Sequence, residues 1–334
     1  VSGISIVPET AAALVTGGAG FIGSHLADSL LARGWHVTAL DDLSTGSQRN
    51  VAHLQRHPRF RLITGSVLDA EAVNAAAAGA DRIYHLAAAV GVRLIMEHPL
   101  QSLVVNIRGT ETVLEAAARR GTKLLVASTS EIYGKVSDRP AREDDDRVLG
   151  SLRKLRWSYS MSKSVDEFLA YAYHVERHLP TVVTRIFNAA GPRQTGNHGM
   201  VVPRLVGQAL RGQPLTVYGD GCQTRSFTYV GDVVEAMARL METPDAVGEV
   251  FNVAGREEVT ILDLARRIVQ RTGSRSTIQF IPFQEVYGDS FEDMERRVAD
   301  PSRMEAATGF RCATSLDEIL DRVIEAEREG VAAP

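Results

Sequence analysis

The sequence predicts an α/β protein, a doubly wound parallel sheet with a smaller C-terminal substrate-binding lobe. Three observations carry this expectation. Short β-branched runs alternate with Ala- and Leu-rich stretches through the first half, the βαβα rhythm of a sheet with helices on both faces. Those runs show little polar alternation, as strands covered on both sides require. Beyond Pro180 the rhythm changes, and Gly191, Pro192, Gly196 and Gly199 punctuate the chain.

Taken in order, residues 12–15 read as the first strand, 24–33 as a helix and 35–40 as the second strand. Two more strands are expected at 61–64 and 82–85, then a helix over 110–120 and a strand over 123–127. Residues 165–177 read as a helix, and 181–186 as a strand begun after the breaker Pro180. Pro203 opens a helix running to Arg211, and 215–229 is a strand–turn stretch carrying Gly219 and Gly221. A helix over 233–241 and a strand over 250–253 return to the sheet. Residues 260–271 are helical, with Thr260 as N-cap and Asp263 placed to complete a capping box. The expected division is a sheet domain over 1–186 joined by about 231–256, and a lobe over about 187–230 and 257–330. The charged run from Glu143 to Arg147 reads as a solvated loop.

Length and composition fit this division. A chain of 334 residues can hold two domains, or one large α/β unit with an appended lobe. Lys and Arg total 37 against 41 Asp and Glu, a net charge of −4, which argues against a nucleic-acid binder. Two cysteines, Cys222 and Cys312, provide neither a disulfide framework nor a four-cysteine zinc site, and no metal is expected. No apolar run approaches the roughly 20 residues that span a bilayer. Residues 1–10 lack the basic start and apolar stretch of a signal peptide. A soluble, cytoplasmic enzyme is expected.

The first strand runs into Thr16-Gly17-Gly18-Ala19-Gly20-Phe21-Ile22-Gly23. Gly17, Gly20 and Gly23 permit a tight turn, close approach of backbone to a pyrophosphate, and close packing of the next helix. The helix N-terminus then aims free N–H groups and a positive dipole end at the phosphates. Phe21 and Ile22 belong to the same loop. Its place between an expected strand and an expected helix is the context that makes the glycines a dinucleotide site. About 20 residues on, Asp41 ends the second strand, where a carboxylate bonds ribose hydroxyls and repels a 2′-phosphate. The expected cofactor is NAD.

This glycine spacing, with Tyr159-Ser-Met-Ser-Lys163 further on, resembles the extended short-chain dehydrogenase/reductase superfamily over nearly the whole chain. The resemblance implies a Rossmann-type fold. It includes His85-Leu86-Ala87-Ala88 after the fourth strand, and Asn106, so Leu86, Ala87, Ala88 and Asn106 join the implied cofactor site. Where relatives carry Asp against the adenine amino group, this chain has Gly65-Ser66-Val67. Ser66 and Val67 would stand there, with Ser66 an uncharged and weaker acceptor.

Tyr159 and Lys163 are i, i+4 on one helix face. A phenol ionises near pH 10, and a neighbouring ammonium together with the nicotinamide charge would favour its phenolate as a general base. Lys163 can also hold the nicotinamide ribose. By superfamily position, Thr129 bonds the substrate's reacting alcohol. Ser130-Glu131 resembles both GDP-mannose 4,6-dehydratases and UDP-glucuronate decarboxylases and does not separate the two.

Arg156-Trp157-Ser158-Tyr159 and the later stretch Tyr287 to Arg297 resemble the UDP-glucuronate decarboxylase group. That group includes UDP-xylose synthase, the aminoarabinose-pathway decarboxylase domain and UDP-apiose/xylose synthase. There a late Arg faces the sugar carboxylate; Arg297 matches it, and Arg296 is the rival if the register slips by one. Ser290 replaces a usual Gly, and Ala299 stands near a usual Pro. The resemblance further implies a UDP-sugar pocket with Asn188, Arg193, Val202, Tyr218, Arg225 and Tyr287. The implied activity is oxidation at C4 followed by decarboxylation of the 4-keto acid, ending in UDP-xylose or UDP-4-keto-pentose. A UDP-sugar 4-epimerase, an NDP-hexose 4,6-dehydratase and, more remotely, a non-catalytic NAD-binding regulator are the alternatives. A homodimer paired through helices at 110–118 and 165–173 is implied as well.

Overall fold

Strands with side chains covered on both faces need partners above and below, and the first half of the chain supplies both. In the computed structural model, which describes residues 11–135, 138–196 and 199–332, strands and helices alternate. The expectation for residues 1–10 lies outside the described residues. The first strands are β1 (Ala12–Thr16), β2 (His36–Asp41), β3 (Phe60–Thr64), β4 (Arg82–His85), β5 (Lys123–Thr129) and β6 (Thr181–Ile186). Between them run α1 (Phe21–Ala32), α2 (Ala70–Ala76), α3 (Val92–Glu97), α4 (Pro99–Ala118) and α5 (Trp157–Arg177). Next come β7 (Ala189–Ala190), α6 (Val201–Leu210), β8 (Leu215–Tyr218), β9 (Thr224–Ser226) and β10 (Thr228–Tyr229). They are followed by α7 (Val230–Glu242), β11 (Val250–Val253), β12 (Glu258–Thr260) and α8 (Ile261–Thr272). The chain closes with β13 (Ile278–Ile281), α9 (Phe283–Tyr287), β14 (Arg296–Arg297), α10 (Ser302–Thr308) and α11 (Leu316–Ala332).

Seven parallel strands form the main sheet in the order β11-β6-β5-β4-β1-β2-β3. The winding reverses between β1 and β4, so their carboxyl ends open a crevice where doubly wound sheets bind ligands. Neighbouring residues of β1 point to opposite faces. Val15 packs with Leu26, Leu30 and Met237 on one side, and Leu14 with Val113, Leu114 and Leu179 on the other. A separate core under α6, α8 and α11, built on Leu205, Leu264, Ile268 and Leu320, supports the smaller lobe. The segment around α10 turns back, because Met304 and Cys312 bury themselves in the sheet core instead. No helix among the described residues is long and apolar enough to cross a membrane.

Several expected helices begin earlier than the sequence suggested. The first helix begins at Phe21, because Gly20 is extended and Gly23 sits inside the first turn. The fourth helix begins at Pro99, not at 110; proline is tolerated at a helix start, where its missing N–H costs nothing. Pro203 likewise sits inside the first turn of α6, which begins at Val201. For α5 the start is Trp157, which puts Tyr159 and Lys163 on its first two turns. Thr260 caps α8, accepting from the Asp263 N–H at 3.0 Å.

The charged run at 143–147 is solvated only in part, with Asp144 and Asp146 exposed. Glu143 is buried and accepts from the Asn252 N–H at 2.8 Å, while Arg147 donates to Glu167 at 2.7 Å. Glu143 and Arg147 are tied to partners distant in sequence, whereas Asp145 pairs with nearby Arg139.

Candidate active site

The glycine loop is shaped by steric necessity. Gly17 has φ +69°, and a Cβ there would lie 2.8 Å from the Ala87 nitrogen. A Cβ on Gly23 would sit 2.1 Å from the Gly17 carbonyl oxygen, far inside contact distance. The loop is cinched by Asp41, whose carboxylate accepts from the Ala19 N–H at 2.9 Å and the Leu43 N–H at 2.8 Å. Burial pushes the Asp41 carboxyl upward, and these N–H donors oppose that shift. The N-terminus of α1 carries no side-chain cap and no acidic residue in its first turn. Its donors and dipole end therefore suit an anionic pyrophosphate, and the cradle fits a dinucleotide. Gly23→Ala is expected to close this cradle to a dinucleotide and to lower stability by about 2–3 kcal/mol, as forced overlap in a packed site does. Fluorescence titration with NADH and thermal unfolding check both.

The other cofactor-side candidates are mostly engaged with the chain. Leu86, Ala87 and Ala88 follow β4 at half-buried positions, with Leu86 and Ala87 against Gly17. Asn106, on α4, accepts from the Ala89 N–H at 2.8 Å and donates to Ser162 at 3.0 Å, so it fixes that turn against α5. The Ser66 hydroxyl accepts from the Leu68 N–H at 3.2 Å, and Val67 is buried beneath Gly109.

Below the crevice runs a buried polar chain. Thr16 meets His85 Nδ1 at 2.8 Å, and His85 Nε2 meets Thr110 at 3.0 Å. Thr110 bonds Asp166, whose carboxylate receives Lys163 Nζ at 2.7 Å. Burial drives His85 down to about 3, so its ring is neutral at physiological pH. Asp166 carried no sequence signal of its own, although it lies three residues after Lys163 and so on a neighbouring helix position.

In this arrangement Lys163 is paired on its own helix. The ammonium is held by Asp166, and the Tyr159 phenol is pushed up, first by burial and then by the carboxylates of Glu131 and Asp166. A hydrogen bond with Thr129 pulls it back. Thr129 ends β5 and accepts from the Glu131 N–H at 3.2 Å, capping the short turn that carries Glu131. Ser130 is buried and is not among the residues lining the cleft, whereas Glu131 and Tyr159 are.

The cleft itself lies between the sheet and the smaller lobe. Its charged floor holds Arg156, Arg225, Arg297, Glu131 and Asp293. In β14, paired parallel with β9, Arg296 and Arg297 are neighbours and so point to opposite faces. Arg296 pairs with Glu258 at 2.8 Å, and Arg297 reaches into the cleft, donating to Glu131 at 2.8 Å and to the Asn188 side-chain oxygen. Asn188 in turn donates to the Ser226 carbonyl at 2.7 Å. Arg225 is committed to Asp293 at 3.0 Å and to the Met294 carbonyl at 2.8 Å. Burial lowers it to about 10.

An aromatic group covers the far end. Tyr218 lies under the Arg204 guanidinium at 4.1 Å and meets Tyr287 edge-on at 5.9 Å. Tyr287 stacks on Phe291 at 4.5 Å, and Val202 is buried in the adjoining turn of α6. Arg193 does not join this cleft. With φ +67° its side chain turns to α1 and pairs with Asp28 at 2.8 Å, so the expected substrate contact is replaced by a tie between the lobe and the first helix. Arg204 was not singled out beforehand, and Arg156 and Asp293 were read only as parts of the two stretches that carry the resemblance, without a role at the site. Arg156 also had a readable position, three residues before Tyr159, which puts both on one side of the helix start.

Comparison with known proteins adds the following. A family model described as GDP-mannose 4,6 dehydratase matches residues 14–323. A UDP-N-acetyl-alpha-D-glucosaminuronate decarboxylase from Bacillus cytotoxicus is 39% identical over 317 residues, 95% of this chain and 97% of that protein. UDP-glucuronic acid decarboxylase 1 from Danio rerio is 38% identical, covering 93% of this chain and 71% of that protein. Among solved structures, UDP-glucuronic acid 4-epimerase from Bacillus cereus, in complex with UDP-glucuronic acid and NAD, aligns with a TM-score of 0.86. It is 31% identical over 95% of this chain and 99% of that one.

Proposed function

Because the chain belongs to the GDP-mannose 4,6-dehydratase family, in the nucleotide-sugar branch of the extended short-chain dehydrogenases, we propose that it is an NAD-dependent UDP-glucuronate decarboxylase. The observation that carries the reading is Arg297. Its guanidinium reaches the Tyr159 end of the cleft beside Glu131, where a fork of donors suits a carboxylate on the sugar. The named decarboxylase relatives support the same chemistry.

Residues 11–186 with about 231–256 would hold the cofactor, and most of 187–230 and 257–330 the UDP-sugar. When bound, the oxidised nicotinamide supplies a hydride acceptor and a positive charge beside the phenol. Tyr159 then takes the proton from the C4 hydroxyl, oriented by Thr129. Oxidation at C4 puts the ketone β to the carboxylate, so loss of CO₂ leaves an enolate and not an unstabilised carbanion. Tyr159 and Thr129, both at O4, stabilise that developing oxyanion more than the ground state. Arg297 would hold the carboxylate in place.

The deciding experiment supplies the protein with NAD⁺ and UDP-glucuronate labelled in its carboxyl carbon. Released labelled CO₂, with UDP-xylose or UDP-4-keto-pentose as the nucleotide product, is expected. Intact labelled uronate, or its 4-epimer, refutes the reading; the Bacillus cereus epimerase makes the second outcome a real competitor. UDP-N-acetylglucosaminuronate belongs in a parallel assay, given the Bacillus cytotoxicus relative.

The same reading includes a cytoplasmic homodimer. Both cysteines are free thiols, as a reducing compartment allows. Met161, Phe168, Tyr171 and Val175 are all at least half exposed along one side of α5, and α4 packs beside it. Such a contiguous apolar stripe suits burial against a second copy. Phe168→Glu is expected to shift the protein from dimer to monomer in sedimentation velocity, weakening self-association at least about 100-fold, since it costs a buried aromatic anchor and adds an unpaired charge. An unchanged sedimentation coefficient removes the dimer through this face.

A further inference from the structure

The cleft lining is unbalanced, with four guanidiniums (Arg156, Arg204, Arg225 and Arg297) against the two carboxylates Glu131 and Asp293, and Arg204 lies over Tyr218 at the far end. One oxygen of Glu131 accepts from both Arg297, at 2.8 Å, and Arg156, at 3.3 Å. Arg225 is already held by Asp293 and backbone carbonyls. Arg156 and Arg297 each keep a buried Nε with no hydrogen-bond partner among the described residues. Two forks, Arg156 buried and Arg297 half-buried, therefore converge on a single carboxylate oxygen and retain unused donors.

We propose that Arg156 and Arg297 together form a socket for the sugar carboxylate, and that Glu131 is an internal stand-in which that carboxylate displaces. The proposal deepens the decarboxylase reading and rests on its uronate substrate. Adjacent buried cations need an anion between them, and Glu131 supplies it from within the chain. Burial pulls Arg297 down, Arg156 adds to that, and Glu131 opposes it. Arg156 is held from other sides as well, by the Phe291 ring 5.2 Å away and by Asp293 at 3.6 Å. It therefore keeps its place when Glu131 leaves. Glu131 rides on a short capped turn at the cleft wall, where only its side chain has to rotate. Exchanging one carboxylate for another spares the substrate the cost of desolvating the socket. It also makes Glu131 a competitor that sets how strongly a uronate is preferred over the matching neutral sugar.

The test measures Kd for UDP-glucuronate and UDP-xylose by calorimetry on protein loaded with NADH, on which neither sugar turns over. Glu131→Gln is expected to raise the preference for the uronate about tenfold, equivalent to about 1.4 kcal/mol. Arg156→Met is expected to lower it about tenfold, with Arg156→Lys recovering part. An unchanged or reduced preference in Glu131→Gln overturns the stand-in role, and an unchanged preference in Arg156→Met overturns the socket. If Glu131→Gln does not fold, Glu131→Ala is read in the same way. Failure to release CO₂ with these ratios intact would sink decarboxylation alone, so the two ideas fail separately.

Discussion

Arg297→Ala is expected to cut kcat/KM for CO₂ release from UDP-glucuronate by about 1,000-fold. Charge-assisted fork bonds to a carboxylate contribute about 1.5–3 kcal/mol each. The change also leaves Glu131 with Arg156 as its one remaining arginine contact, at 3.3 Å. A combined loss near 4 kcal/mol corresponds to about three powers of ten. The effect should be specific to the acid: affinity for UDP-xylose, which has no carboxylate, should change by no more than a few fold. Arg297→Lys should recover part of the rate, because an ammonium keeps the charge but not the planar fork. A loss below tenfold, or an equal loss of UDP-xylose binding, would remove Arg297 from its proposed role. An epimerase working on a neutral hexose would tolerate the same substitution, so this variant also tests the reaction class.

The second large effect is expected at Tyr159. Tyr159→Phe removes the one phenol at the reacting end of the cleft, and a positioned acid–base group contributes about 10²–10⁴-fold to rate. A drop of about 1,000-fold in kcat is expected, with NADH affinity unchanged within threefold. Measurement of both by stopped-flow fluorescence and product assay separates lost chemistry from lost folding. The pH profile supplies an independent check through Asp166. That carboxylate is one of the charges that raise the phenol, so Asp166→Asn should move the limb governed by Tyr159 to lower pH. The same variant strands the buried Lys163 ammonium, and a stability loss of about 3–5 kcal/mol is expected alongside. A limb that stays in place, or moves to higher pH, would show that Asp166 does not act on the phenol.

How much of this was readable beforehand differs from residue to residue. The glycine turn was, because its glycines answer to contacts within the loop and with the next strand: Gly17 needs φ +69°, and Gly23 leaves no room for a Cβ. The strands of the sheet were, because continuous apolar runs state their burial directly. Tyr159 and Lys163 share a face through helical spacing alone. Arg193 was misjudged, since nothing local shows that its backbone takes φ +67° and turns toward Asp28. The choice between Arg296 and Arg297 was open for a similar reason, and pairing of β14 with β9 decides it.

What the residue order carried was therefore local: strand and helix tendencies, a turn only glycine can make, and the spacing of a phenol and an amine. Long-range electrostatics came from the folded chain. Glu131 and Arg297 are 166 positions apart and Arg225 and Asp293 are 68 apart, yet each pair is within hydrogen-bonding distance in one cleft. Local stereochemistry is set by neighbours along the chain, whereas the partner of a buried charge is set by which surfaces the core brings face to face.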